Sequence, residues 1–273
     1  GLIYIKGECI ARDINRAIYF FTLAANKNHP NAQYNLGSIY YSGQYITKDV
    51  SKAIYFFTLA ANNNDVYSQF NLGIIYYEGK YIKQDINKSI YYFTLAANQG
   101  FSMAQYNLGI IYYEGKYIRK NINKSIHYFL QAANQNYSDA QYNLGVFYYE
   151  GKYIRKNINK SIHYFLQAAN QNHPSAQFNL GYIYYEGKYI TQNINKSIYF
   201  FTLAANQKDK EAQVNLGIIY YLGKCIKQDI QKAIYYFSLA AEQKDSDAQY
   251  NLGFIYCFEK YIKRDINKAI YYL

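Results

Sequence analysis

The chain has 273 residues, of which 51% are hydrophobic and 20% aromatic, a composition that excludes a disordered polymer and is ample for a buried core. Its formal charge of +11 is compatible with an acidic protein partner, an anionic membrane surface or nucleic acid. No apolar run reaches the length of a membrane span, no basic-then-apolar leader opens the sequence, and Cys9, Cys225 and Cys257 show neither disulfide-framework nor metal-ligand spacing. A soluble segment in a reducing compartment is expected, with the cytoplasm favoured.

Glycine sets the register: Gly1, Gly37, Gly73, Gly109, Gly145, Gly181, Gly217 and Gly253 stand 36 residues apart, and a second series from Gly7 to Gly223 runs six residues behind. The period predicts six whole repeats (30–65, 66–101, 102–137, 138–173, 174–209 and 210–245) between partial ones at 1–29 and 246–273. In the first whole repeat, a first helix is predicted from Pro30 to Tyr41, with His29 as N-cap and Pro30 at the first helical position. His173-Pro174 repeats that start, and Asp65, Asp209 and Asp245 hold the cap site elsewhere. A turn around Gly43 follows. The second helix starts at Asp49, whose place is taken by Asp13, Asp85, Asn121, Asn157, Asn193, Asp229 and Asp265, and runs to Asn62. Between repeats, Gly100 stands where others have Asn28, Asn64, Asn136 and Asn172, the choice expected of a left-handed residue just past a helix end.

Ala53, Ile54, Phe57, Ala60 and Ala61 draw one apolar stripe on the second helix. Ala32, Leu36, Gly37 and Tyr40 draw the matching stripe on the first, with glycine at the closest approach. A single hairpin cannot bury its own apolar face, so the repeats must stack on one another. The predicted fold is all-α, a right-handed superhelical α/α solenoid of 36-residue helix-turn-helix repeats. The chain starts mid-repeat and stops within a second helix, so a stretch of a longer array is expected. Residues 109–144 and 145–180 differ at only six places, which reads as recent duplication.

Ala-Gln-Tyr-Asn-Leu-Gly at 32–37, then Tyr40-Tyr41-Ser42-Gly43, Lys48-Asp49, Lys52-Ala53-Ile54 and Ala60-Ala61, together resemble the Sel-one-like repeat, a relative of the tetratricopeptide repeat, and the match recurs along the whole chain. One departure lies in the turn. There the family usually carries Gly-x-Gly, and this chain has Tyr45, Tyr81, Tyr117, Tyr153 and Tyr189, with Cys225 and Cys9 in other repeats. The resemblance implies a non-enzymatic scaffold or adaptor that binds proteins or peptides and needs no cofactor or metal. Family adaptors of the endoplasmic-reticulum lumen make that compartment the alternative location, in which Asn136 would be the best glycosylation acceptor. Two other functions stand as alternatives: a mechanical spacer between domains, and a hydrolase like the cysteine-rich bacterial branch, whose paired helix cysteines this chain lacks.

In related repeats the first helix lines the concave surface, so its positions off the buried stripe are candidate partner contacts. Tyr34, Ser38, Tyr41 and Ser42 share one such face. The Ser38 position reads Ile74, Ile110, Val146, Tyr182, Ile218 and Phe254 in later repeats, and the Tyr41 position stays Tyr77, Tyr113, Tyr149, Tyr185 and Tyr221. The Ser42 position reads Glu78, Glu114, Glu150, Glu186, Leu222 and Phe258. Variation beside constant packing positions fits a binding groove and also fits a weakly constrained surface, and the row of apolar side chains tilts toward contact.

Asn35, Asn71, Asn107, Asn143, Asn179, Asn215 and Asn251 form a ladder. It either hydrogen-bonds the backbone of an extended peptide or fixes the stacking of repeats, and its invariance favours the second. Basic residues recur in files, one from Arg16 and Lys52 to Lys268 and others near the turn, including Lys80, Lys83, Lys260 and Lys263. They read as a positive edge that docks anionic partners or keeps a Tyr-rich rod soluble. Recognition of RNA one base per repeat is disfavoured, because it needs polar pairs that vary between repeats and here they are nearly constant. His127 and His163 share one helical position a repeat apart, roughly 10 Å by helix-packing distances, too far to share a metal. They read as replacements of Tyr55. With no phosphate loop, nucleophile elbow or HExxH helix, no catalytic, cofactor-binding or metal residue is assigned.

Overall fold

In the computed structural model, residues 1–7, 11–258 and 264–272 are described, and they form sixteen α-helices without a strand. Cys9, Lys260 and Lys263 lie outside the described residues. The first of two units, Gly1–Tyr137, contains α1 (Leu2–Lys6), α2 (Ile14–Ala25), α3 (Pro30–Ser42), α4 (Val50–Asn62), α5 (Val66–Glu78), α6 (Ile86–Asn98), α7 (Ser102–Glu114) and α8 (Ile122–Asn134). The second, Ser138–Leu273, contains α9 (Ser138–Glu150), α10 (Ile158–Ala169), α11 (Pro174–Glu186), α12 (Ile194–Asn206), α13 (Lys210–Leu222), α14 (Ile230–Glu242), α15 (Ser246–Phe258) and α16 (Ile266–Tyr272). Within each unit every helix packs against its successor in the chain.

Helix starts follow local hydrogen bonding. Asp13, Asp49, Asp85, Asn121, Asn157, Asn193 and Asp229 each accept a bond from the backbone N–H three residues on, satisfying one orphan donor of the second helix. Asp265 does the same for Lys268. Among first helices, Asp65, Asp209 and Asp245 cap in this way, and His173 accepts through Nδ1. His29 makes no side-chain cap bond, and there Pro30 sets the start. Between repeats Asn28, Asn64, Asn136, Asn172 and Gly100 all take positive φ, as their residue types anticipate. Lys208 and Lys244 do so too, at 66° and 61°, although lysine has no preference for that conformation.

The core is one contact repeated. Phe57, Phe93, Phe129, Phe165, Phe201 and Phe237 are fully buried, each lying against the helical glycine of its own hairpin. A methyl group on Gly73 would fall 2.5 Å from the Phe93 ring, and one on Gly145 would fall 2.5 Å from that of Phe165. Only glycine therefore lets the two helices of a hairpin approach this closely. Each ring also packs with the buried first-helix residues of the following repeat, Phe21 with Ala32, Leu36 and Ile39 and Phe93 with Ala104, Leu108 and Ile111. The first-helix stripe thus differs from the sequence expectation. Gln33 and Ile39 belong to it, whereas Tyr40 is half-buried because its ring instead stacks flat on Phe56, 5.9 Å away at 5°.

The residue one turn before the phenylalanine is alanine in some repeats and serine in others. Ser89 and Ser161 donate to the carbonyls of Gly73 and Gly145 at 2.8 Å. Ser125 and Ser197 are as deeply buried and their hydroxyls have no hydrogen-bond partner among the described residues.

Two stability predictions follow from this packing. Gly73→Ala gains about 1 kcal/mol of helix propensity, but overpacking against Phe93 costs about 1–3 kcal/mol, so the urea midpoint should fall, and Phe93→Leu in the same chain should recover part of the loss. Ser125→Ala should leave the midpoint unchanged or raise it by an amount equivalent to about 1–3 kcal/mol at most, the cost of a buried unpaired polar group; a clear drop would show that the hydroxyl is bonded in solution.

Candidate partner-binding face

The residues of the candidate face do not all play one part. Tyr34 is half-buried, its ring centred 6.0 Å from Phe57 and 5.9 Å from Tyr67 of the next repeat, so it holds repeats together. Ile74, Val146 and Ile218 are half-buried and pack on the cores of their repeats. Ser38 and Ile110 are half-buried, while Tyr182 and Phe254 are exposed. Beside them runs the half-buried row Tyr41, Tyr77, Tyr113 in the first unit and Tyr149, Tyr185, Tyr221 in the second.

Carboxylates at the ends of the first helices meet this tyrosine row. Tyr77 Oη donates to Glu114 Oε2 at 3.4 Å, one repeat on. Burial foremost, and then the carboxylate of the following repeat, push the phenols of Tyr41, Tyr77 and Tyr149 above their usual range. Tyr182 Oη donates to Glu186 Oε1 at 2.6 Å, and that bond is the main reason its phenol is pushed up to about 12.

The asparagine ladder turns inward on its own helices. Asn35, Asn107, Asn215 and Asn251 donate from Nδ2 to the carbonyl four residues back, at 2.6–2.9 Å. Asn179 instead meets the Tyr142 hydroxyl of the preceding repeat.

A second amide ladder, which the sequence analysis does not single out, does link repeats. Gln33, Gln69, Gln105, Gln177 and Gln213 are buried, and each donates to the carbonyl eight residues back, at the end of the preceding repeat's second helix, at 3.1–3.3 Å. The Oε1 of each accepts from Asn63, Gln99, Gln135, Gln207 or Gln243, thirty residues on, at 2.7–3.1 Å. One side chain thereby ties three helices. Recurrence of glutamine at a position one residue from the buried alanine was the available signal.

The basic files are also engaged. Nζ of Lys52, Lys88, Lys124, Lys160, Lys196, Lys232 and Lys268 stands 4.9–5.2 Å from the ring centre of the first-helix tyrosine twelve residues earlier. The turn tyrosines that replace the family's glycine reach the preceding repeat: Lys48 stands 4.0 Å over the Tyr81 ring, and Lys156 Nζ donates to Tyr189 Oη at 2.9 Å. Open clefts recur where the starts of consecutive second helices meet. One, of about 860 Å³, is lined by Ile198, Tyr220, Lys227 and Lys232. His127 and His163 pack edge-on against Tyr128 and Tyr164, as Tyr55 packs on Phe56. Among the described residues no group of three or more His, Cys, Asp or Glu is placed to hold a metal, and no helix is long and apolar enough to cross a membrane.

These features define an α-helical repeat protein built of stacked hairpins. The Sel1 repeat model matches at 1–29, 30–65, 66–101, 102–137, 138–173, 174–209, 210–245 and 246–273, and the chain belongs to the Sel1 repeat family. It is similar to the crystal structure of c5321, a protective antigen of uropathogenic Escherichia coli strains displaying an SLR fold, at 29% identity and a TM-score of 0.93 over 99% of this chain and 58% of that one. A Sel1 repeat protein from Oxalobacter formigenes is similar at 28% identity and a TM-score of 0.79 over 99% of this chain and 79% of its own. No curated protein matches the chain in a sequence comparison. The fold is in general a protein-interaction scaffold without enzymatic activity.

Gln105→Leu should lower the urea midpoint by an amount equivalent to roughly 2–3 kcal/mol, since it strands the Ala97 carbonyl and the Gln135 amide; an unchanged midpoint would show that the ladder contributes nothing. The Tyr182 contribution to stability is present below pH 10.0, where the phenol is protonated in both states, and is lost as pH rises through about 12. In Glu186→Gln, tyrosine ring-carbon NMR should show that phenol ionising nearer its usual value.

Proposed function

We propose that the chain is a non-enzymatic scaffold or adaptor that holds partner proteins or peptides on its first-helix face. The observation that carries this reading is a contrast between layers. Beneath the face, phenylalanine, glycine, leucine and glutamine are the same in repeat after repeat, whereas on it Ser38 gives way to Ile110, Tyr182 and Phe254. Side chains that support stacking gain from being constant, and side chains that touch a partner gain from differing. Tyr182 and Phe254 leave part of a large ring in solvent, 36% and 39% exposed.

Ile110→Asp with Tyr182→Asp tests the proposal, because neither side chain is fully buried. Capture from a native lysate should lose a partner held by the unsubstituted chain while the helical circular-dichroism signal stays unchanged. Equal captures by both chains would contradict the proposal and favour a mechanical spacer.

A further inference from the structure

Two of the clefts between second-helix starts are built alike and charged differently. One of about 670 Å³, in the first unit, is lined at positions 87, 90, 112 and 118–124, and the cleft of about 860 Å³ in the second unit is lined at the same places three repeats on. Ile90, Ile118 and Ile122 stand half-buried in the first, and isoleucine recurs at all three places in the second. The charges do not recur. Asp229 caps its helix in the second cleft, and its carboxylate pairs with Lys232 at 3.6 Å, as Asp49 pairs with Lys52 at 3.5 Å. The first cleft has Asn121 at that place, whose Oδ1 accepts from the Lys124 N–H at 3.0 Å, so the helix start is satisfied without a charge. No carboxylate lines this cleft. Arg119 and Lys124 are exposed and form no ion pair among the described residues, and the sequence has no acidic residue between Glu114 and Asp139. Lys124 Nζ stands 5.0 Å over the ring of Tyr112, which lines the cleft, and a ring face leaves the charge uncancelled. Lys120 also lines it, with Nζ 4.5 Å from the Tyr113 ring centre.

We propose that this cleft docks an extended acidic segment of a partner protein, whose carboxylates meet Arg119 and Lys124 while an apolar side chain between them rests on Ile118 and Ile122. Arginine holds a carboxylate through two parallel N–H bonds, and lysine adds a point charge. Cations beside part-exposed isoleucine are complemented by a chain that is acidic and carries scattered apolar side chains, which a simple polyanion does not. In the second cleft Asp229 already stands where a partner's carboxylate would sit, so the chain itself supplies the charge that the first cleft lacks. Most of the wall comes from a turn and a second-helix start, so the docking is independent of the role proposed for the first-helix face.

The test uses the full 273-residue chain and a dye-labelled glutamate peptide with leucine at every third place, read by anisotropy, beside a lysine peptide with the same leucines and an oligothymidylate. The glutamate peptide should bind saturably and weaken with salt. Residues 154–160 repeat 118–124 unchanged, so Asn121→Asp is made together with Asn157→Asp. Aspartate caps other second helices, so the helical circular-dichroism signal should stay the same while binding weakens about tenfold. Asp229→Asn should tighten it. Lys208→Asn with Lys244→Asn lowers the net charge equally in the turns between repeats, where other repeats have asparagine, and should change binding by less than about twofold. The proposal is overturned if the paired aspartates have no effect, if the turn substitutions weaken binding as much, or if the lysine peptide binds as tightly. Tighter binding of the oligothymidylate than of the glutamate peptide also overturns it, by assigning the cleft to nucleic acid. None of these results bears on the first-helix face, which Ile110→Asp with Tyr182→Asp tests separately.

Discussion

Everything in this structure depends on a phenylalanine ring lying on a glycine. The contact recurs from Gly37 and Phe57 to Gly217 and Phe237, and in each hairpin a single methyl group would collide with the ring. It fixes how near the two helices come, and that separation decides which neighbours are buried. Leucine and isoleucine of the first helix and the small residues of the second then fill what space is left. A hairpin built this way still exposes apolar surface on both sides, which only another hairpin can cover.

Stacking is then made specific by the buried glutamines. A hydrophobic surface tolerates sliding, whereas Gln69 or Gln177 must reach a carbonyl on one side and present Oε1 to an amide on the other. An amide buried with either bond unmade costs about 1–3 kcal/mol, so one register is selected. With spacing and register settled below, the outward side chains of the first helices carry a smaller share of that work, although Tyr34 and Ile74 still pack on the cores. That freedom is what allows Ser38, Ile110, Tyr182 and Phe254 to occupy one structural position.

Much of this was legible in the sequence, for physical reasons that differ from feature to feature. The caps at Asp49 and Asn121 and the left-handed residues at Asn64 and Gly100 are local chemistry, settled within a few residues, and the periodic pattern displays them directly. The glutamine ladder was missed because its bonds join residues eight and thirty apart and because glutamine is ordinarily a surface residue. Tyr40 was placed in the buried stripe by helical periodicity, which cannot show that Phe56 offers its ring a flat partner at the edge. The positive φ of Lys208 and Lys244 is signalled by their place in the 36-residue register and not by their residue type. On the candidate face, periodicity named the tyrosine row but could not show which of its rings a lysine of the same chain covers.

The central claim is that each repeat is held by its own glycine–phenylalanine contact and by its immediate neighbours. Hydrogen exchange on the chain carrying Phe93→Ala tests it most directly. Faster exchange concentrated in α5 and α6 and in the adjoining α4 and α7, with α2 and the start of α3 protected as before, is the predicted result. A uniform loss of protection from α1 to α8, or none in α5 and α6, would contradict the account.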